Sequence, residues 1–180
     1  MTLLELRTWT LRRRVVALCL TVGVILGALE QVLISERRAR EVFATVASVV
    51  LDLSANRATV RLAGHPPPVL LRGGRAEPVA ARRGIVLGVK PTPTPATDVE
   101  LTGDDWSLLM YTDGLIEGHT GTGDERLDVD GLCGVLAEPA ATQVPLAALP
   151  AWLVGRAEQG NGGPLADDVA MLLISRGGGR

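Results

Sequence analysis

Three carboxylates stand where an apolar run of the chain ends or begins. Asp113 follows Trp106 to Tyr111 within Tyr-Thr-Asp-Gly, and Asp167 with Asp168 directly precedes Val169 to Ser175. A carboxylate at the end of an apolar strand is held by a rigid backbone and still meets water. That suits a hard divalent cation such as Mg²⁺ or Mn²⁺, which prefers oxygen ligands, retains several waters and needs only one or two protein carboxylates. Each piece alone also reads as ordinary structure, because Thr-Asp-Gly is a common turn and an Asp-Asp pair serves as a cap. The combination makes Asp113, Asp167 and Asp168 candidate ligands for such a metal.

The remaining polar residues offer less. His65 lies between Gly64 and the prolines 66 to 68, where it reads as turn-stabilising before it reads as an acid or base. His119 falls in a Gly-rich loop with no Cys or second His placed to share a metal, and reads as surface. Glu117 could orient water or simply be solvated. From Asp98 to Glu138 there are eleven acidic residues against Arg126 alone, a run that can attract cations and is more usually a solvated face.

The elements that must position these groups are legible from periodicity. Glu30 to Val42 is charged and helix-favouring, and from Phe43 β-branched residues begin to alternate through Val46, Val49 and Val50. Asp52 to Asn56 is rich in turn formers, and Ala58 to Leu62 alternates again, which gives a hairpin. A short strand at Val69 to Leu71 reverses at Gly73-Gly74 into a weaker extended segment around Pro78 and Val79. Pro91, Pro93 and Pro95 then interrupt regular structure until Val99. Trp106 to Tyr111 is a buried strand, helical spacing returns over Leu127 to Leu136 and Leu146 to Ala157, and a final strand covers Val169 to Ser175. Strands first, helices grouped, then a closing strand is an α+β layout with helices on one face of an antiparallel sheet.

At 180 residues the chain suits one domain with an N-terminal appendage. An apolar fraction of 47% with 21% charged residues is a globular composition. Five aromatic residues and a net charge of -2 argue against a nucleic-acid partner, which needs stacking platforms and positive charge. Cys19 and Cys133 lack metal-ligand spacing and a disulfide framework, and read as small apolar residues in a reducing compartment.

Residues 1 to 42 form an Arg-rich and apolar segment. Arg12, Arg13 and Arg14 precede the uncharged run Val15 to Leu29, whose fifteen residues rise about 22 Å as a helix, short of a hydrocarbon core of roughly 30 Å. Apolar residues from Trp9 to Ile34 extend the surface available for membrane contact. Three readings stand: a signal-anchor helix with its arginines in the cytoplasm, a buried or interfacial helix, and a cleaved secretory signal, which no small-x-small site supports. The expected location is the cytoplasm or the cytoplasmic face of a membrane.

Phe-Ala-Thr-Val at 43 to 46, Val-Leu-Asp-Leu at 50 to 53, Ala-Gly-His-Pro-Pro-Pro at 63 to 68, Leu-Gly-Val at 87 to 89, Leu-Leu-Met-Tyr-Thr-Asp-Gly-Leu-Ile-Glu at 108 to 117 and Ala-Asp-Asp-Val-Ala-Met-Leu-Leu at 166 to 173 occur in that order. The set resembles the PPM (protein phosphatase 2C-like) serine/threonine phosphatases, in the bacterial branch of stage II sporulation protein E and the sigma-factor-regulating phosphatases. It covers residues 43 to 176, the C-terminal part of that domain, with residues 177 to 180 as a tail.

The resemblance implies an antiparallel β-sandwich flanked by helices and a centre of two Mg²⁺ or Mn²⁺ ions. It also implies hydrolysis of phosphoserine or phosphothreonine on a regulatory protein such as an anti-anti-sigma factor. It carries metal ligation onto Asp113 and Asp167, with Asp168 in the neighbouring place. One departure is plain: residues 1 to 42 contain no Asp, so the Asp-x-x-Gly-x-Gly motif of the family's first half is missing before Phe43. The chain is therefore expected to be truncated or internally deleted. The alternative function is an inactive remnant that acts at most as a binding module.

Overall fold

The computed structural model describes residues 3–35, 42–121 and 123–177. It divides into two compact units, Met1–His65 with Ala80–Thr102, and Pro66–Val79 with Gly103–Arg180. Both carry a sheet and at least one helix, as the α+β expectation requires.

The first unit opens with helix α1, Leu3–Ser35. It is a single helix that begins well before Val15, so the Arg run and the apolar run share one element. Residues 36–41, expected to continue a helix to Val42, lie outside the described residues, and Val42 and Phe43 are not helical. Strands β1, Val46–Asp52, and β2, Arg57–Ala63, form the expected hairpin with Val46 opposite Ala63 and Asp52 opposite Arg57. Its turn is closed by Asp52, whose carboxylate Oδ1 accepts from the Ser54 and Ala55 N–H groups at 3.1 and 3.0 Å. That local bond is the reason Asp favours such turns.

Three further strands follow: β3, Val69–Arg72, β4, Arg75–Pro78, and the two-residue β5, Arg83–Gly84. The last pairs with β2 in parallel, a departure from the all-antiparallel sheet expected. Two residues with no alternation gave no sequence signal for it. Strand β6, Ala96–Glu100, starts immediately after Pro95 and pairs antiparallel with β2. The prolines therefore delay the strand less than expected, because Pro95 itself lies outside the ladder.

Helix α1 packs on this sheet by one narrow face. Leu26 joins Ala63 and Leu87 in a small core that Val22, Leu33 and Val46 border. Glu30 is only 4% exposed, and its Oε2 accepts the Gly88 N–H at 2.9 Å. Gly88 has φ +92°, a region costly for any residue with a Cβ.

The second unit holds the sheet β4-β3-β7-β8, where β7 is Trp106–Tyr111 and β8 is Met171–Arg176. All its pairings are antiparallel. Strand β7 is central, and five of its six residues are buried, which explains its near-continuous apolar sequence. Helices α2, Asp128–Leu136, α3, Pro139–Gln143, and α4, Leu149–Asn161, follow. Leu132, Leu136, Leu149 and Leu153 pack with Val69, Leu71, Leu109 and Tyr111 in one core. Helix α3 was not expected, and α4 starts three residues later than its periodicity suggested because Pro150 occupies the first turn, where a missing N–H costs nothing. Gly162 ends α4 in the left-handed conformation.

Gly88→Ala tests the seating of α1. An added Cβ would stand 2.5 Å from the Val42 carbonyl oxygen and 3.2 Å from Leu33 Cβ. With the positive φ, the variant is expected to lose about 1–3 kcal/mol, read as a lower urea midpoint at unchanged slope.

Candidate functional site

Register brings the two acidic motifs together within the second unit. Antiparallel pairing sets Tyr111 opposite Met171, so the chain leaving β7 and the chain entering β8 lie side by side. The Thr112 N–H donates to the Ala170 carbonyl at 3.0 Å and continues the ladder by one step. The Thr112 side chain then takes over. Its Oγ1 accepts the Ala170 N–H and donates to the Asp168 carbonyl, both at 2.9 Å. This side-chain substitution for backbone pairing is the physical reason β8 begins at Met171, two residues after the expected Val169.

Beyond Thr112 the chain tightens into a short 3-10 turn, Asp113–Leu115. Asp113 opens it, and its carbonyl accepts the Ile116 and Glu117 N–H groups at 2.9 and 3.0 Å. Gly114 lies against the Asp167-Asp168 backbone so closely that a Cβ would stand 2.6 Å from the Asp168 carbonyl oxygen and 3.1 Å from that of Asp167. Only a residue without a side chain allows this approach. Leu115 and Ile116 plug the turn into the core beneath it.

Asp113 is half-buried, whereas Asp167 and Asp168 are exposed. The Asp167 Oδ1 accepts the Asp168 N–H at 2.8 Å, which holds that carboxylate back along its own loop. The structure thus joins the segments that carry all three expected ligands. Sequence reasoning missed Thr112 and Gly114, which do the joining. Their signal lay in the same Tyr-Thr-Asp-Gly stretch, where a hydroxyl at a strand end and a glycine after an acid both have structural uses.

The other singled-out residues fall elsewhere. His119 is exposed, and its N–H donates to Asn161 Oδ1 at 2.9 Å. Glu117 is exposed and meets Arg126 at 3.5 Å, so within the acidic run the lone arginine is paired. His65 is half-buried and belongs to the first unit. Both cysteines are free, and burial, then the charges of Asp130 and Glu77, pushes the Cys133 thiol up from its ordinary range.

A dinuclear centre needs more than this. Among the described residues no group of three or more His, Cys, Asp or Glu side chains is gathered closely enough to hold a metal ion. Two joined acidic segments, one of whose carboxylates already accepts a backbone N–H, do not fit a complete two-metal site.

Comparison with known proteins gives the lineage. The family model described as Stage II sporulation protein E (SpoIIE) matches residues 2–177. The chain belongs to the SpoIIE family. The match includes most of the N-terminal segment that the sequence had set apart from the resembling region.

Among solved structures, the RsbU and RsbW domains of Rv1364c from Mycobacterium tuberculosis align at 24% identity and TM-score 0.68, over 86% of this chain and 42% of that one. The manganese-presoaked phosphatase domain of SpoIIE from Bacillus subtilis aligns at 18% identity and TM-score 0.57, over 79% and 61%. The catalytic domain of the serine threonine protein phosphatase PstP, in complex with two manganese ions, aligns at 16% identity and TM-score 0.54, over 84% and 66%. These likenesses show a shared phosphatase-domain fold, and the chain spans between 42% and 66% of these three structures. No curated protein matches the chain.

Replacing Thr112 separates its two roles. Thr112→Val keeps the shape and leaves the Ala170 N–H and the Asp168 carbonyl without their side-chain partner, an expected loss of about 1–3 kcal/mol. Thr112→Ser restores the hydroxyl and should recover most of that loss, with urea unfolding as the measurement.

Proposed function

We propose that the chain is the portion of a serine/threonine phosphoprotein phosphatase that presents Asp113 and Asp167 to a divalent metal centre, with Mg²⁺ or Mn²⁺ as the ion. The single observation that carries this reading is the tie between the Thr-Asp-Gly turn and the Asp167-Asp168 loop through Thr112 and Gly114. Family membership and the manganese in two of the similar structures support it. The donors still required come from outside the described residues, and Asp168 stands beside the pair as a third carboxylate.

The substrate class that fits is a phosphoserine or phosphothreonine on a regulatory protein. The likeness to an RsbU domain favours a switch protein such as an anti-anti-sigma factor. A second reading, a non-catalytic binding module, draws on one specific observation: no three-ligand cluster exists among the described residues.

Hydrolysis of para-nitrophenyl phosphate by the purified chain in Mn²⁺ separates the two readings. The phosphatase reading expects Mn²⁺-dependent turnover that Asp113→Ala and Asp167→Ala each reduce by at least about a hundredfold, and that a chelator abolishes. Turnover that is absent in Mn²⁺ and Mg²⁺ alike would sink catalysis by this chain alone and leave the binding module. In either case both variants should melt close to the parent protein, because neither carboxylate side chain supports the core.

A further inference from the structure

The first unit encloses a cavity of about 450 Å³ lined by α1, by β2 and by the segment that precedes β6. Its walls are largely apolar, with Leu26 from α1, Leu87, and Pro91 and Pro93. Two charged residues share them, Glu30 from α1 and Arg61 from β2. A mostly apolar recess with a few convergent polar groups is the usual form of a small-molecule site.

The protein satisfies neither charge in full. Glu30 is 4% exposed, and while its Oε2 accepts the Gly88 N–H at 2.9 Å, its Oε1 is buried without a hydrogen-bond partner. A buried acceptor without a donor is costly, and native structures leave few of them. Arg61 donates from Nη1 to the Thr94 carbonyl at 2.9 Å and from Nη2 to the Cys19 carbonyl at 3.5 Å. Both acceptors are neutral, and among the described residues no carboxylate pairs with this guanidinium.

The spacing of the two charges sets the length of what fits between them. An added Cβ at Gly23 would stand 3.4 Å from Arg61 Nη2, so the guanidinium lies beside Gly23, about 10 Å along the helix axis from Glu30. A helical side chain leans toward the N-terminus, which brings the carboxylate to roughly 7–10 Å from the guanidinium. One end of the recess thus calls for a donor and the other for an anionic acceptor, with an apolar wall between. A single bridging water occupies about 30 Å³ and would leave both the apolar wall and the charge on Arg61 unmatched.

We infer that this cavity binds a small elongated zwitterion, whose protonated amine meets Glu30, whose anionic group meets Arg61 and whose short aliphatic body lies against Leu26, Leu87 and the two prolines. The cavity belongs wholly to the first unit and the acidic site to the second, so the inference is independent of the phosphatase reading. A ligand held there touches both α1 and the sheet, and stabilises the seating of the helix by mass action.

The test titrates the full chain with 6-aminohexanoate, with the Gly88 amide signal in a ¹⁵N–¹H spectrum as the readout, since that N–H is bonded to Glu30. A saturable shift is expected, with a Kd on the order of millimolar or tighter, together with a higher melting temperature. Hexylamine and hexanoate, each lacking one charge, should bind at least about tenfold more weakly. Glu30→Gln keeps the shape and should weaken 6-aminohexanoate at least about tenfold. Arg61→Gln should do the same and Arg61→Lys should recover part of the loss, whereas Glu77→Gln, on β4, should leave the affinity unchanged. The comparison of the three ligands on the parent protein needs no variant to fold. Absence of a saturable shift would overturn the inference, as would equal affinity for hexylamine, which would leave Arg61 no part in binding. Undiminished affinity in a folded Glu30→Gln protein would overturn it as well.

Discussion

The pairing of β7 with β8 is the constraint on which the rest of the acidic site depends. An antiparallel register admits no half-steps, so once Tyr111 faces Met171 the residues just beyond each strand have fixed neighbours. Thr112 extends that pairing past the last regular step, and Gly114 permits contact between backbones that a methyl group would hold apart. The core beneath makes the register stable: Leu109 and Tyr111 on β7 pack with Leu132 and Leu153 from two helices, so a slip by one residue would turn those side chains away from the helices. Carboxylate placement is thus a consequence of apolar packing several residues away.

Much of this was legible in the sequence, and the parts that were not have identifiable reasons. Strand β7 was read at its observed bounds because a central strand is apolar without interruption, and the β1–β2 hairpin was read because alternation and turn formers agree. The start of β8 was missed because Val169 and Ala170 look like strand residues. What excludes them is a hydroxyl 58 residues earlier that takes the Ala170 N–H. Helix α3 and strand β5 are too short for any period to register. The candidate ligands themselves could be named from their motif, but the hydroxyl and the glycine that join them act through tertiary contacts that no spacing encodes.

Family and catalytic competence are separate properties here. The order of motifs and the match over residues 2–177 follow from ancestry, whereas metal binding depends on how many oxygen donors converge on one point. Burying no carboxylate among the three lets them repel through water at little cost, which is compatible with a stable fold whether or not a metal is held. Stability therefore supplies no argument for activity. The half-buried Asp113 heads a 3-10 turn over Leu115 and Ile116, and the exposed Asp167-Asp168 loop is tied to that turn through Thr112 and Gly114.

Helix α1 shows where sequence reading meets a physical limit. A helix apolar on nearly every side arises both from a membrane span and from an element covered by its own domain and an outside surface, since hydropathy sums over faces. The discriminating feature is one polar residue inside the apolar stretch. In a span, Glu30 would need a partner within the bilayer; here it finds the Gly88 N–H, at a glycine whose positive φ allows the backbone to pass near α1. Leu26, one carboxylate and a distant glycine together fix which face of the helix is internal.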